Sequence, residues 1–390
     1  MSIFKIIKDK FTSKGISVYQ SVKEYKWDEI LGGSSSEKYT SKFETSTYVY
    51  ACVNKRAEKV SQIQFQVYDN KREQNVDHDI LNVLYKPNAY QDKNEFFYTL
   101  QALKDLVGEV YIYIEKSNGR DVSGLHILKP DRMKVNISED GDGIDSYEYS
   151  INNKTNKYEP DEIIHLKYPK PTDFIHGQSP LMAGALPIET EQQLSTYHYS
   201  ILKNGGRVEG IIKTGKNVNL TESQIKTVKK QFKDHYSGAE KSGMPLVLYG
   251  EMEYVNLGLN PTELSYLKSK NLSRDDIFML FGIPKVILSQ TDGVNYANAK
   301  IGMQVFLSET IKPLVDAIVN KLDQELLPDK NLSLTYVDFV PKDKDYELKI
   351  RDNALQNGYM TINEVRKREG LEPVDGGDKL LIPFNKAPLE

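Results

Sequence analysis

Apolar positions change period several times along this chain, and each change marks an element. Between Thr45 and Val60 they fall at Val49, Cys52, Val53, Ala57 and Val60, the spacing of one helix face, with Thr47 as the cap. Residues 63–68 then alternate apolar and polar, the period of a half-buried strand, and Asp69-Asn70 ends it. Residues 78–85 read as a short helix stopped at Lys86-Pro87-Asn88, and Asn94-Glu95-Phe96-Phe97 opens another that runs through Leu106. Strand patterns follow at 109–114, 125–128, 133–135, 146–150 and 163–166. Residues 40–175 therefore predict one α+β domain built on an antiparallel sheet.

Beyond that point the period becomes helical. Gly177-Gln178-Ser179-Pro180-Leu181 reads as a helix start: Ser179 is a good N-cap, and Pro180 takes the first position, where its missing N–H costs nothing. Leu181, Ile188, Leu194, Tyr197 and Ile201 continue it to a stop at Asn204-Gly205-Gly206, with a kink predicted at Pro187. A helix over 179–204 is ~39 Å long. A small β-α-β unit follows. Residues 210–214 form a strand, and Thr221-Glu222-Ser223-Gln224 is a capping box for a helix whose buried stripe is Ile225, Val228 and Phe232. Residues 245–249 and 252–255 supply further strands. A returning helix runs from Asn260-Pro261-Thr262 to Phe281-Gly282-Ile283-Pro284.

Two helices bracketing a small unit look like a descending and an ascending rod with a cap between them, a shape suited to one subunit of a ring around a channel. After the second rod come a polar loop at 289–294, a long helix over 296–327 kinked at Pro313, and a strand at 332–336. A helix over 345–356 stops at Gly358, and the capping box Thr361-Ile362-Asn363-Glu364 opens a last one that stops at Gly370.

Charge narrows the function. The 390 residues hold 51 basic and 55 acidic side chains, a formal net charge of −4, without the basic excess that tight phosphate binding requires. Such a chain either ignores nucleic acid or lets it slide. Cys52 is the only cysteine, which rules out an internal disulfide and a cysteine zinc site and fits a reducing compartment. The opening residues are too charged for a signal peptide, and nothing approaches the ~18 apolar residues of a membrane span. Ile3, Ile6 and Ile7 hint at a short amphipathic helix, read here as a docking or frayed terminus.

Catalytic constellations are sparse. Gly177-Gln178-Ser179 has the start of a nucleophile elbow, but Pro180 and Leu181 replace its second half, so Ser179 reads as a cap. No histidine pair has ligand spacing; Asp77-His78-Asp79 is the nearest candidate and reads as a helix start. Gly215-Lys216-Asn217 lacks the upstream glycine and following hydroxyl of a phosphate-binding loop. Lys226, Lys229, Lys230 and Lys233 decorate the helix of the β-α-β unit, either as a solvated face or as a docking surface.

Ten short segments, in order, carry a family resemblance: Val49-Tyr50-Ala51-Cys52-Val53, Tyr85-Lys86-Pro87-Asn88, Gly108-Glu109-Val110-Tyr111-Ile112, Leu128-Lys129-Pro130, Glu162-Ile163-Ile164-His165-Leu166, Gly177-Gln178-Ser179-Pro180-Leu181, Lys203-Asn204-Gly205-Gly206, Phe281-Gly282-Ile283-Pro284, Tyr296-Ala297-Asn298 and Ile362-Asn363-Glu364-Val365-Arg366. Together they make the chain resemble the phage portal proteins of the long-tailed, non-contractile type, over roughly residues 45–385. Lys300 departs from the pattern, which has an acidic residue soon after Tyr-x-Asn.

The resemblance implies an α+β portal fold with wing, stem, clip and short crown. Its divisions would be an N-terminal arm (1–40), a wing (41–178), a descending stem helix (179–206), a β-α-β clip (207–258) and an ascending stem helix (259–284). A tunnel loop (285–298), a kinked wing helix and strand (299–342), and crown helices with a tail (343–390) complete it. It implies a ring of about twelve copies at one capsid vertex, through which double-stranded DNA passes, without sequence preference, during packaging and ejection. The implied partners are the large terminase subunit, a head–tail adaptor, and the major capsid and scaffolding proteins. No cofactor, metal, membrane or catalysis is implied. The place would be the virion, after assembly in the host bacterial cytoplasm. Gln290, Thr291, Asp292, Gly293 and Asn295 would face the DNA, and Lys226, Lys229, Lys230 and Lys233 would meet the motor or adaptor. Two other readings compete. A metal-dependent phage nucleic-acid-processing enzyme would cluster carboxylates or histidines in one cleft, and a membrane or cell-wall docking module would act through residues 1–11.

Overall fold

The computed structural model describes residues 42–117, 121–138, 143–152, 154–203, 210–214, 221–236, 252–256, 263–288, 296–329, 331–341, 344–368 and 370–380. They form two compact units, one running to Val337 and one from Asp338.

In the first unit α1 (Thr47–Ser61) carries the predicted stripe: Val49, Cys52, Val53, Ala57 and Val60 are all fully buried. Its cap is Ser46 rather than Thr47. Ser46 keeps extended backbone and accepts the Val49 N–H, whereas Thr47 is already helical. β1 (Phe65–Asp69) lies between β2 (Gln74–Val76) and β11 (Leu332–Tyr336), antiparallel to both. Next come α2 (Asp79–Tyr85), capped by His78, and α3 (Lys93–Val107), which Gly108 ends at φ +98°. α1 packs against α3, and Phe97 of α3 meets Phe65 of β1 at a tilt and Phe96 edge-on.

The single antiparallel sheet expected over 40–175 is instead divided. β3 (Glu109–Ser117) is the centre of a sheet flanked by β4 (Asp121–Leu128) and β8 (Ile163–Lys167). β5 (Met133–Ile137), β6 (Ile144–Ile151) and β7 (Lys154–Tyr158) form another, with β6 central. The physical reason lies in two 3₁₀ turns, Pro130–Arg132 and Pro160–Glu162. Each opens on a proline, which has no N–H for a ladder, and each turns the chain from one sheet into the next. Tyr111, Leu128, Tyr147, Tyr149 and Ile163 make a shared core between these two sheets.

The descending rod is interrupted. α4 (Pro180–Ala183) and α5 (Ala185–Lys203) meet at Gly184, three residues ahead of Pro187. Pro187 has no N–H to give Ala183, so the ladder breaks one turn upstream of the proline. α7 (Glu263–Leu280) packs on α5, and a Cβ at Gly184 would strike Leu280. Between the rods, β9 (Gly210–Thr214) pairs antiparallel with β10 (Met252–Asn256), with α6 (Glu222–Tyr236) between them in sequence. The strand expected at 245–249 lies outside the described residues. Ile225, expected to be buried, is 39% exposed, and Val228 is half-buried.

α8 (Tyr296–Val305) and α9 (Lys312–Leu326) are joined by a π-helical segment, Phe306–Ile311. The wider turn makes room for the Pro313 ring, so the irregularity expected at the proline takes the form of a π-helical turn just ahead of it.

In the second unit α10 (Lys344–Gln356) ends at Gly358, φ +70°. α11 (Ile362–Arg368) opens on the predicted reciprocal box: the Thr361 hydroxyl accepts the Glu364 N–H at 3.2 Å, and the Glu364 carboxylate accepts the Thr361 N–H at 2.8 Å.

Candidate functional site

Four of the ten recognised segments converge where the sheets meet the rods. Gly108 ends α3, and its carbonyl accepts the Tyr168 N–H at 2.8 Å. A Cβ at Gly108 would collide with the backbone of Gln178 and Ser179, and one at Gly177 would collide with the Gly108 carbonyl. Two glycines are therefore required face to face, because backbone touches backbone there. Ser179, two residues past Gly177, accepts the Leu181 N–H at 3.0 Å and donates its own proton to the Asp105 carbonyl at 2.8 Å. The first turn of α4 is thereby bolted to the last turns of α3.

Glu109 locks the same segment from the other side. One carboxylate oxygen accepts the Gly177 N–H at 2.8 Å and lies 3.2 Å from His165 Nε2. The other accepts the Tyr111 hydroxyl at 3.0 Å and lies 3.2 Å from His176 Nδ1. Burial alone would raise this carboxyl, but hydrogen bonds from His165, the Gly177 N–H and His176 outweigh it and bring its pKa down to about 2. His165 stacks on Tyr111, ring centroids 4.4 Å apart, and its burial lowers its pKa.

A buried polar cluster beneath this junction reaches the second rod. Arg56, 5% exposed, pairs with Asp105 at 3.1 Å and donates to the Tyr168 hydroxyl at 2.6 Å. Gln101 donates to the same Asp105 oxygen at 2.9 Å. Burial pushes the Asp105 carboxyl upward against the pull of Arg56. The Lys104 ammonium sits over the Tyr168 ring, 4.6 Å from its centroid, and burial lowers its pKa to about 8. Arg56 also donates to the Phe281 carbonyl at 3.5 Å and lies 5.4 Å from the Phe281 ring centroid, just past the end of α7. The start of one rod and the end of the other thus hang on the same two helices.

Chemically these groups are engaged in holding chain. Ser179 is a cap. His78 Nδ1 accepts the Ile80 N–H at 3.2 Å and caps α2. Among the described residues no group of three or more His, Cys, Asp or Glu is placed to hold a metal ion, and no helix is long and apolar enough to cross a membrane.

Gln290, Thr291, Asp292, Gly293 and Asn295 lie outside the described residues; the flanks of their loop do not. Gly302 lets α8 approach the 3₁₀ turn Lys285–Leu288 so closely that a Cβ would strike Val286. The Thr310 hydroxyl donates to the Gly282 carbonyl at 2.6 Å. Lys226, Lys229 and Lys230 are exposed and share one side of α6, within an arc of ~100°. Lys233 falls on the same side by phase, but its side chain lies outside the described part. Sequence reasoning missed Arg56, Asp105, Glu109 and Tyr168. The available signals were an arginine set against the apolar stripe of α1 and an acid directly after the glycine that ends α3.

The family described as phage portal protein matches residues 47–370. The portal protein of Enterobacteria phage HK97 is 23% identical over 329 residues, covering 82% of this chain and 76% of its own. An uncharacterised Rickettsia bellii protein is 26% identical over 348 residues, covering 87% and 90%. Among solved structures, the neck of a native gene transfer agent particle computed with C12 symmetry is similar at TM-score 0.64 and 23% identity, covering 88% of this chain and 95% of the neck chain.

Proposed function

Since the chain belongs to the phage portal protein family and is a portal protein of a phage or gene transfer agent particle, we propose that its copies close into a ring of about twelve around a channel for double-stranded DNA. The family is structural rather than enzymatic. In this reading residues 41–178 are the wing, 179–206 and 259–284 the stem, 207–258 the clip and 343–390 the crown and tail. Gln290, Thr291, Asp292, Gly293 and Asn295 line the narrowest part of the channel. Lys226, Lys229, Lys230 and Lys233 meet the terminase or the head–tail adaptor. Assembly takes place in the host cytoplasm with capsid and scaffolding proteins, and the finished ring stays in the virion.

The observation that supports this most is the anchoring of both rods on α1 and α3 through Ser179–Asp105 and Arg56–Phe281. A conduit under load needs its walls fixed to its outer body. The balanced charge, −4 overall, suits a channel that must let phosphates pass.

Deletion of residues 289–295 tests the channel reading. The ring should still assemble, because the loop's flanks are held by Gly302–Val286 and Thr310–Gly282. DNA packaging or retention should fail. Normal packaging by that variant refutes the loop assignment.

A further inference from the structure

A shallow groove of about 400 Å³ on α5 is lined by Glu189, Thr190, Gln193, Leu194 and Tyr197. Thr190, Gln193, Leu194 and Tyr197 stand at i, i+3, i+4 and i+7, the spacing with which one helix receives another. Leu194 is half-buried and Tyr197 is 48% exposed, so the seam offers apolar surface to a partner. Its charge is already settled. Glu189, at one end, accepts from the Lys42 ammonium at 2.9 Å on one carboxylate oxygen and from the Gln193 amide at 3.0 Å on the other. Lys42 also donates to Gln192, which in turn donates to the Thr45 hydroxyl at 3.0 Å. A phosphate backbone would need a free Lys or Arg here, and Lys42 is spent on Glu189.

Lys42 is also where the described chain begins, so residues 1–41 lead into the groove at Glu189. They carry the chain's single tryptophan. Trp27, Ile30 and Leu31 stand at i, i+3 and i+4, the counterpart of the seam on α5, while Lys26, Asp28 and Glu29 fall away from that side. Residues 32–41 connect Leu31 to Lys42 and begin with Gly32-Gly33-Ser34-Ser35-Ser36. A tether of about ten residues spans ~35 Å fully extended and ~18 Å on average. The distance along α5 from Glu189 to Tyr197 is ~12 Å. The tether therefore reaches the whole groove, at an effective concentration on the order of millimolar, far above that of a second copy in dilute solution.

We propose that Trp27, Ile30 and Leu31 seat in the groove between Glu189 and Tyr197 on α5 of the same chain. Leu31, nearest the tether, lies toward Glu189, and Trp27 lies toward Leu194 and Tyr197, where the indole removes their apolar surface from water. The segment runs antiparallel to α5. A single subunit suffices for this contact, with or without a ring.

Trp27 reports on its own surroundings, because no other tryptophan contributes. In the purified full chain its emission should be blue-shifted from that of the urea-unfolded chain and should resist acrylamide quenching. Thr190→Arg and Tyr197→Lys put charge into the groove at exposed positions. Each should shift the emission toward the unfolded value and raise quenching severalfold, with far-ultraviolet circular dichroism unchanged. Tyr90→Lys, at a position 89% exposed outside the groove, should do neither. Emission already at the unfolded value, or emission that the groove variants leave unmoved, overturns the docking.

A cysteine pair locates the contact. Cys52 is fully buried and its thiol is pushed up to about 12, so the native cysteine stays silent. Ile30→Cys or Leu31→Cys is combined with Gln193→Cys, and with Tyr90→Cys as a control. Mild oxidation should close an intrachain disulfide with Gln193→Cys in at least one pair, seen on a denaturing gel as a faster monomer band that reduction reverses. The Tyr90→Cys pairs should stay open. Interchain dimers alone overturn the assignment to the same copy and hand the groove to the segment of a neighbour. No disulfide from either Gln193→Cys pair overturns the contact.

Discussion

Ser179 gives its hydroxyl proton to the main-chain carbonyl of Asp105, so the residue that starts the first rod is fastened to the residue at the centre of the buried polar cluster. Ser179→Ala removes this bond and the cap on Leu181 together. It should destabilise the subunit by about 1–3 kcal/mol, measured by urea unfolding with Thr47→Ala as a control. A loss no larger than the control's argues that the junction is not a point of attachment.

Gly108→Ala and Gly177→Ala should be harsher. Each puts a methyl group into backbone, and Gly108 also sits at φ +98°. Losses of ~3 kcal/mol or more are expected, with each variant largely insoluble or melting far below the parent. Gly370→Ala is the comparison, because it too has positive φ but open space around it; it should cost about 1 kcal/mol.

The Glu109 cluster predicts an acid limb in stability. A carboxyl held at about 2 contributes stability that is complete above its ordinary value of 4.5 and is lost as pH falls toward 2. The loss through this group is about 3 kcal/mol. His165, lowered by burial, acts in the same direction and begins to lose its contribution below its ordinary 6.5. Melting temperature measured from pH 7 to pH 3 should fall along this limb. Glu109→Gln should be less stable than the parent at pH 7, with the gap closing as pH drops. A gap that stays constant removes Glu109 as the cause.

Arg56→Ala leaves Asp105 in the interior without its cation. Breaking a buried pair in this way costs about 3–5 kcal/mol. Arg56 also touches Phe281, so protection from hydrogen exchange should fall at the end of α7 as well as along α3. Loss confined to α3 would show that the second rod is held by other contacts.

Val228→Pro puts a helix breaker in the middle of α6. Proteolysis should open residues 222–236 while the cooperative melt of the rest stays in place. A melt that shifts with it shows that the unit between the rods does not fold separately.

Element order was legible because the period of the apolar residues changes at each boundary, and because Ser179-Pro180, Thr361 with Glu364, and Gly108 mark helix ends by local chemistry. β2 and β7 were not legible. Gln74-Asn75-Val76 and Lys154–Tyr158 are mostly exposed and lack the alternation that a half-buried strand shows. Ser46 was passed over for Thr47 because both are good caps, and only backbone geometry separates them. The junction cluster was out of reach for a different reason. Arg56 stands at a stripe position of α1, but Asp105 and Tyr168 lie far from it in the chain, and the three are seen as partners only once α1 packs on α3.

The pairing of β1 with β11 sets the order in which the molecule is made. Asp69 waits for Leu332, a delay of about 260 residues, or ten to fifty seconds at ~5–20 residues per second of synthesis. During that interval β1 has only β2 beside it, so one margin of its sheet stands open to other nascent chains on the same messenger. Expression hosts that slow translation, or chains truncated ahead of Leu332, should enrich aggregates, and co-expressing residues 327–341 as a separate peptide should reduce them.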